Sequence, residues 1–211
     1  MEQLALRFYT RDMTPEDIPQ VQAIDREAFP EDWPPPDFKR ELQNSMATHI
    51  VAVENGVWCP PPPPSTLARL ASRLRHGRDH ATPPALQQFV VGFCGLWFLL
   101  DEAHVTAIGV LAKYRGQGIG ELLMAATVDL AAERGCKFVT LEVRASNTVA
   151  QNLYRKLGFI QVGVRPGYYS NNHEDALIMT TDAIASPAFQ SHFQEIKRAL
   201  AEKLSAPALP G

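Results

Sequence analysis

The run Arg115-Gly116-Gln117-Gly118-Ile119-Gly120 puts three glycines at alternate positions between an apolar strand and a helix. Glycine lets a backbone turn sharply and approach a neighbour closely. The helix that follows opens with N–H groups that have no partner inside it. Those donors and the positive end of the helix dipole point to one place, which suits an anion such as a pyrophosphate. The spacing is not the G-x-G-x-x-G of a dinucleotide fold, and no acidic ribose reader ends a second parallel strand about 20 residues on. The phosphate-loop lysine is also missing, since Glu121 and Leu122 follow Gly120. Taken alone, the glycines are equally consistent with a tight strand-to-helix turn.

Two groups downstream could move protons. Residues 138–143 read as a strand in which Val139, Leu141 and Val143 face one way and Thr140 and Glu142 the other. A carboxylate in so apolar a strand is either a general base or a residue on a solvated face. Tyr154 has Leu153 and Leu157 as apolar neighbours, which could desolvate its phenol. It is either a proton donor or a core tyrosine with a satisfied hydroxyl. Asn147 can cap a helix running to about residue 157, with Gly158 just past its end. Cys136 follows a helix-ending Gly135 without an accompanying histidine, so a thiol nucleophile is not indicated.

An Arg-x-x-Gly-x-Gly loop after a strand resembles the acyl-CoA loop of the GNAT acetyltransferases. Glu142-Val143-Arg144-Ala145-Ser146-Asn147, Leu153-Tyr154, Leu157-Gly158-Phe159, Tyr168-Tyr169 and Glu174-Asp175-Ala176, in that order, resemble the RimI-type branch. That branch acetylates the N-terminal α-amine of small-subunit ribosomal protein eighteen. The resemblance covers residues 88–182 well and 4–59 loosely. It implies an α/β fold, a GNAT-like sandwich whose mixed, mostly antiparallel central sheet is flanked by helices. It implies acetyl-CoA as cosubstrate, with no metal, and direct attack in a ternary complex. Ile108, Gly109 and Val110 would lie along the acyl arm. Gly116, Gln117, Gly118, Ile119, Gly120, Glu121 and Asn147 would also contact the cofactor. Glu142 takes the position of the proton acceptor and Tyr154 that of the donor to the CoA thiolate. Arg165, Tyr168, Tyr169, Glu174 and Asp175 would line the peptide slot, where edge-strand packing is the competing explanation. The expected reaction is acetylation of an alanine α-amine on a ribosomal protein. An α-amine titrates at about 7.7–8.0 and asks less of a base than a lysine at about 10.4. A lysine or small-amine acetyltransferase is the nearest alternative, and a non-catalytic acyl-CoA-binding adaptor is one of another class.

The elements that must position these groups are legible in outline. At 211 residues the chain suits one acetyltransferase domain over residues 1–185, followed by a C-terminal helix and tail over 186–211. Residues 4–10 read as a first strand. Ile18, Val21, Ile24 and Phe29 mark a helical face, followed by a rigid proline loop over 29–36 and a short helix over 37–43. Residues 50–53 and Asn55-Gly56 suggest a hairpin, and 90–100 and 105–110 two central strands. The helix after the loop carries Ile119, Leu122, Leu123, Ala126 and Leu130 on one stripe and stops at Gly135. Residues 159–165 and 176–180 close the sheet, and 189–204 read as a surface helix.

The Pro-rich insertion over residues 60–87 departs from this pattern. Five consecutive prolines, Pro60 to Pro64, make a stiff spacer ahead of a short basic amphipathic helix over 67–75. It reads as a tolerated solvated insertion. An arm that meets ribosomal RNA through Arg69, Arg73, Arg75 and Arg78 is the functional alternative. A net charge of −3 gives no general reason to bind nucleic acid or membrane. Three scattered cysteines fit neither a disulfide framework nor a zinc site. With no signal peptide evident, the expected location is cytoplasmic.

Overall fold

A computed structural model of the chain describes residues 6–29, 36–61 and 85–205. The basic helix and the arginines expected within the Pro-rich insertion, and most of the proline loop after Phe29, lie outside the described residues. The elements are β1 (Phe8–Asp12), α1 (Ile18–Ala28), α2 (Phe38–Glu41), β2 (Ala47–Cys59), β3 (Gln87–Leu99) and β4 (Glu102–Val110). After them come α3 (Ile119–Glu133), β5 (Phe138–Arg144), α4 (Thr148–Lys156), β6 (Phe159–Tyr169), β7 (Glu174–Thr181) and α5 (Pro187–Ser205). Among the described residues, seven strands form one sheet in the order β1-β2-β3-β4-β5-β7-β6. Of these strands β4 and β5 run parallel, and the other neighbouring pairs described are antiparallel.

Strand alternation sends successive side chains of the central strands into two separate cores. Val51, Val53, Val90 and Phe93 pack with Ile18, Val21 and Ile24 of α1 and Phe38 of α2. Ile50, Ala52, Val91, Cys94 and Leu96 turn to the other face and meet α3 and α5. With both faces covered over Val90–Leu96, β3 is apolar without a break from Phe89 onward, as a buried central strand requires.

Four expectations change. The described first strand is Phe8–Asp12, four residues later than the start read from the pattern. Asn55-Gly56 does not turn a hairpin: β2 continues to Cys59, the register with β3 slips between Val53 and Trp58, and Gly56 takes up the bulge at a φ of +74°. Helix α3 is not buried along one stripe, because Met124, Ala125 and Val128 are as deeply covered as Ile119 and Leu123. It lies between the sheet and α5. That helix is no surface appendage, since Phe189, Phe193, Ile196, Leu200 and Leu204 are all buried in the core it shares with α3.

Candidate active site

The glycine loop has the conformation its residues allow. Gly116 and Gly118 stand at φ of +76° and +92°, where an L side chain is strained. Gly118 is the N-cap of α3, and its carbonyl accepts the first helical bond from Leu122 N–H at 2.9 Å. The N–H groups of Ile119, Gly120 and Glu121 are therefore the unpaired donors of a helix start. A Cβ on Gly116 would meet nothing within 4 Å, so the loop presents bare backbone there. The Glu121 carboxylate is drawn aside by Lys156, whose Nζ lies 2.5 Å from Oε1. A loop of this shape, with its one acidic side chain neutralised, fits a pyrophosphate.

Next to it the sheet splits. Strands β4 and β5 pair from Glu102–Phe138 to Val105–Leu141, and there the pairing stops, although β4 runs on to Val110 and β5 to Arg144. Thr106 is an extra residue in the β3–β4 register, a bulge that re-aims β4 at this point. Beyond it the β4 backbone has no strand partner on the β5 side. A cavity of about 670 Å³ opens here, lined by Thr106, Ala107 and Ile108 of β4, Leu141 to Arg144 of β5, Asn147 and Tyr154. Gly109 is held tight from behind, since a Cβ there would come 2.8 Å from the Phe93 ring. Free backbone donors and acceptors beside a cavity suit the amide-bearing arm of an acyl-CoA, and N–H groups there can receive an oxyanion. The loop and the split strands fit acetyl-CoA.

Glu142 and Tyr154 come together on the wall of this cavity. The Glu142 side chain is 9% exposed and bound on both oxygens: His104 Nε2 lies 3.1 Å from Oε2 and Arg165 Nη2 3.0 Å from Oε1. The hydrogen bond from His104 does most to hold its carboxyl below the ordinary range, against burial, with Arg165 adding to it. Tyr154 is 5% exposed, packed against Phe159, with ring centroids 5.8 Å apart. Burial, with Cys94 and Tyr169 nearby, raises its phenol well above the usual tyrosine range, so it stays protonated. Asn147 does cap α4, its side chain accepting from Ala150 N–H at 3.1 Å, and it also faces the cavity.

Arg165, Tyr168 and Tyr169 lie on the same wall. The Arg144 guanidinium stacks 3.8 Å from the Tyr169 ring centroid. Glu174 and Asp175 stand off the wall and brace it. Glu174 accepts from Ser146 N–H at 2.7 Å and pairs with Arg144 at 3.2 Å, while Asp175 accepts from Gly167 N–H at 2.8 Å. Sequence reasoning missed His104, Asp25, Glu41 and His49, which line the cavity too. His104 lies in the strand before the acyl-arm segment, but nothing in the sequence says that this strand pairs with the one carrying Glu142. Burial raises both buried thiols, Cys94 to about 12, which disfavours the thiolate that a nucleophile needs.

Comparison with known proteins agrees with this geometry. The family described as acetyltransferase (GNAT) matches residues 18–159. A Bacillus subtilis protein provisionally named as a ribosomal protein bS18-alanine N-acetyltransferase is 32% identical over 169 residues, which are 80% of this chain and 91% of that one. The N-alpha-acetyltransferase RimI of Mycobacterium tuberculosis is 37% identical over 151 residues, 72% of this chain and 76% of that one. The crystal structure of the ribosomal-protein-S18-alanine N-acetyltransferase from Escherichia coli superposes with a TM-score of 0.63 at 25% identity, covering 85% of this chain and 97% of that one. With a glycine loop at a helix start, a split between parallel strands and this match over most of its length, the chain belongs to the GNAT family of acetyltransferases.

Proposed function

We propose that the protein transfers the acetyl group of acetyl-CoA to the N-terminal α-amine of a ribosomal protein whose first residue is alanine. The observation that carries this reading is the placement of Glu142 and Tyr154 on one cavity where β4 and β5 part. The relatives named for the bS18-alanine reaction supply the substrate class. A cytoplasmic location, where ribosomal proteins are made, goes with it.

Acetyl-CoA brings an acetyl thioester, an acyl donor open to attack by a neutral amine. Ile119, Gly120 and Glu121 would hold its pyrophosphate through backbone N–H groups, with Gly116 to Gly118 shaping the turn. Ile108 to Val110 would take the pantetheine arm along the unpaired edge of β4, and Asn147 lies at hand on the other side. Backbone N–H groups in this stretch stabilise negative charge on the carbonyl oxygen. Glu142 serves deprotonation of the amine. Tyr154, held protonated by burial, gives its proton to the departing thiolate. Asp25, Glu41, Glu102 and Glu142 outnumber the Arg144 and Arg165 guanidiniums in the cavity lining, a balance that favours an ammonium group. Arg165, Tyr168 and Tyr169 would steady the peptide beyond its first residue.

Mass spectrometry after incubation with acetyl-CoA and an alanine-first peptide carrying an internal lysine tests this reading. Fragmentation that places the acetyl group on the α-amine supports it. Label on the lysine alone moves the substrate to side-chain amines, and an unlabelled peptide with acetyl-CoA still bound supports a binding role.

A further inference from the structure

Glu142 is poorly placed to be the whole proton acceptor. Each carboxylate oxygen already has a charged or donating partner, His104 on Oε2 and Arg165 on Oε1. A carboxylate held this way is a weak base, because every partner favours its ionised form. His104 has what Glu142 lacks. Its side chain is 23% exposed, so solvent and substrate can reach it from the cavity that it lines. With Nε2–H donating to Glu142, the neutral ring carries its lone pair on Nδ1. That nitrogen is 3.9 Å from Glu102 Oε1, beyond hydrogen-bond range, so the contact does not occupy it.

We propose that His104 is a catalytic residue whose Nδ1 takes the proton of the substrate α-ammonium, with Glu142 orienting the imidazole and stabilising the imidazolium. The inference rests on the functional reading above. A base oriented by a buried carboxylate on its far nitrogen is a recurrent way to fix a tautomer and favour proton uptake. The substrate nitrogen sheds two protons in all. The first passes to His104 Nδ1, directly or through one water, and then to solvent. The freed lone pair forms the N–C bond as the C–S bond breaks. The thiolate takes the Tyr154 proton, and the second proton from nitrogen restores the phenol. The net products are one acetamide, one thiol and one proton. The titratable and charged groups around His104 are Glu102 on its own strand, Glu142 on β5 and Arg165 on β6. Asp25, Glu41 and His49 line the same cavity from α1, α2 and β2, as do Arg144 of β5, Tyr154 of α4, and Tyr168 and Tyr169 of β6.

Three measurements test this together. In the full chain without ligand, 15N NMR of the neutral His104 ring should show the Nε2–H tautomer. An Nδ1–H tautomer overturns the proposal. H104Q should lower kcat for the alanine-first peptide at pH 7 by about 10²-fold while acetyl-CoA affinity and melting temperature hold. H104A should recover turnover with added imidazole, a response that a purely structural role would not give. Wild-type transfer with H104Q within three-fold of it overturns the proposal and leaves the functional reading intact. Failure of the wild-type chain to label the α-amine overturns the functional reading and this inference with it.

Discussion

Arg165 Nη2 lies 3.0 Å from Glu142 Oε1 although the strands that carry them are not neighbours, since β7 runs between β5 and β6. The guanidinium reaches across one strand and caps the oxygen that His104 leaves open. Both partners hold the Glu142 carboxyl low, with the His104 hydrogen bond the larger cause. Removing either should let it titrate higher. The expected order is a larger rise in H104Q than in R165M, read from the Glu142 carboxyl carbon by NMR. Equal shifts, or a larger one in R165M, would count against this account of the pair.

Tyr154 separates packing from chemistry. Its ring fills buried space beside Phe159, and only the hydroxyl distinguishes it from phenylalanine. Tyr154→Phe should keep acetyl-CoA affinity and the melting temperature and lower kcat by roughly 10²–10⁴-fold. Unchanged turnover, in steady-state kinetics with the alanine-first peptide, would remove the phenol from the mechanism.

The parts of this site that are local in sequence were legible there. The glycine loop, the Asn147 cap and Gly158 at the far end of α4, at a φ of +87°, each follow from a few consecutive residues. What the sequence hid depends on strand pairing. His104 meets Glu142 only because β4 and β5 pair in parallel, and Arg165 reaches it only because β7 intervenes between their strands. Asn55-Gly56 carried a hairpin signal that β2 overrode by pairing with β1 and β3 on either side. The residues of α5 read as a surface stripe because the pattern cannot say that a second helix covers it.

The two glycines of the loop should differ when each is replaced by alanine. Both impose the strain of a left-handed φ, about 1–2 kcal/mol. At Gly116 that is the whole cost, since no atom lies within 4 Å of the new Cβ. At Gly118 the methyl also meets Leu200 Cδ1 at 3.3 Å, so α5 must give way. Gly118→Ala should lower both the melting temperature and the acetyl-CoA affinity more than Gly116→Ala does. Calorimetry and ligand titration of the two variants check this.

Glu174 ties acid stability to the wall of the slot. Hydrogen bonds from Ser146, then Asn172 and Arg144, lower its carboxyl to about 2, below an unfolded value of about 4.3. The folded value is the lower one, so its contribution is fully present above about pH 4.3 and disappears as the pH falls towards 2. Exposure to solvent keeps it small. Glu174→Gln should therefore melt about 1–2 °C below wild type at pH 7, with the gap closing near pH 2. A gap independent of pH would assign the effect to packing.

The last prediction concerns α5, whose inner face reaches the loop from behind. Phe193 is buried and stacks on Phe189 with centroids 5.8 Å apart, while Leu200, Lys203 and Leu204 back Gly118. Lys203 Nζ also donates to the Gly116 carbonyl at 3.3 Å. Phe193→Ala should cost about 3–5 kcal/mol in urea unfolding, as a deleted core phenylalanine does. Because the helix it anchors supports the glycine loop, acetyl-CoA affinity should fall as well, even at temperatures where the variant is fully folded. A destabilised variant with undiminished affinity would show that the loop holds its shape without α5, through the left-handed glycines alone.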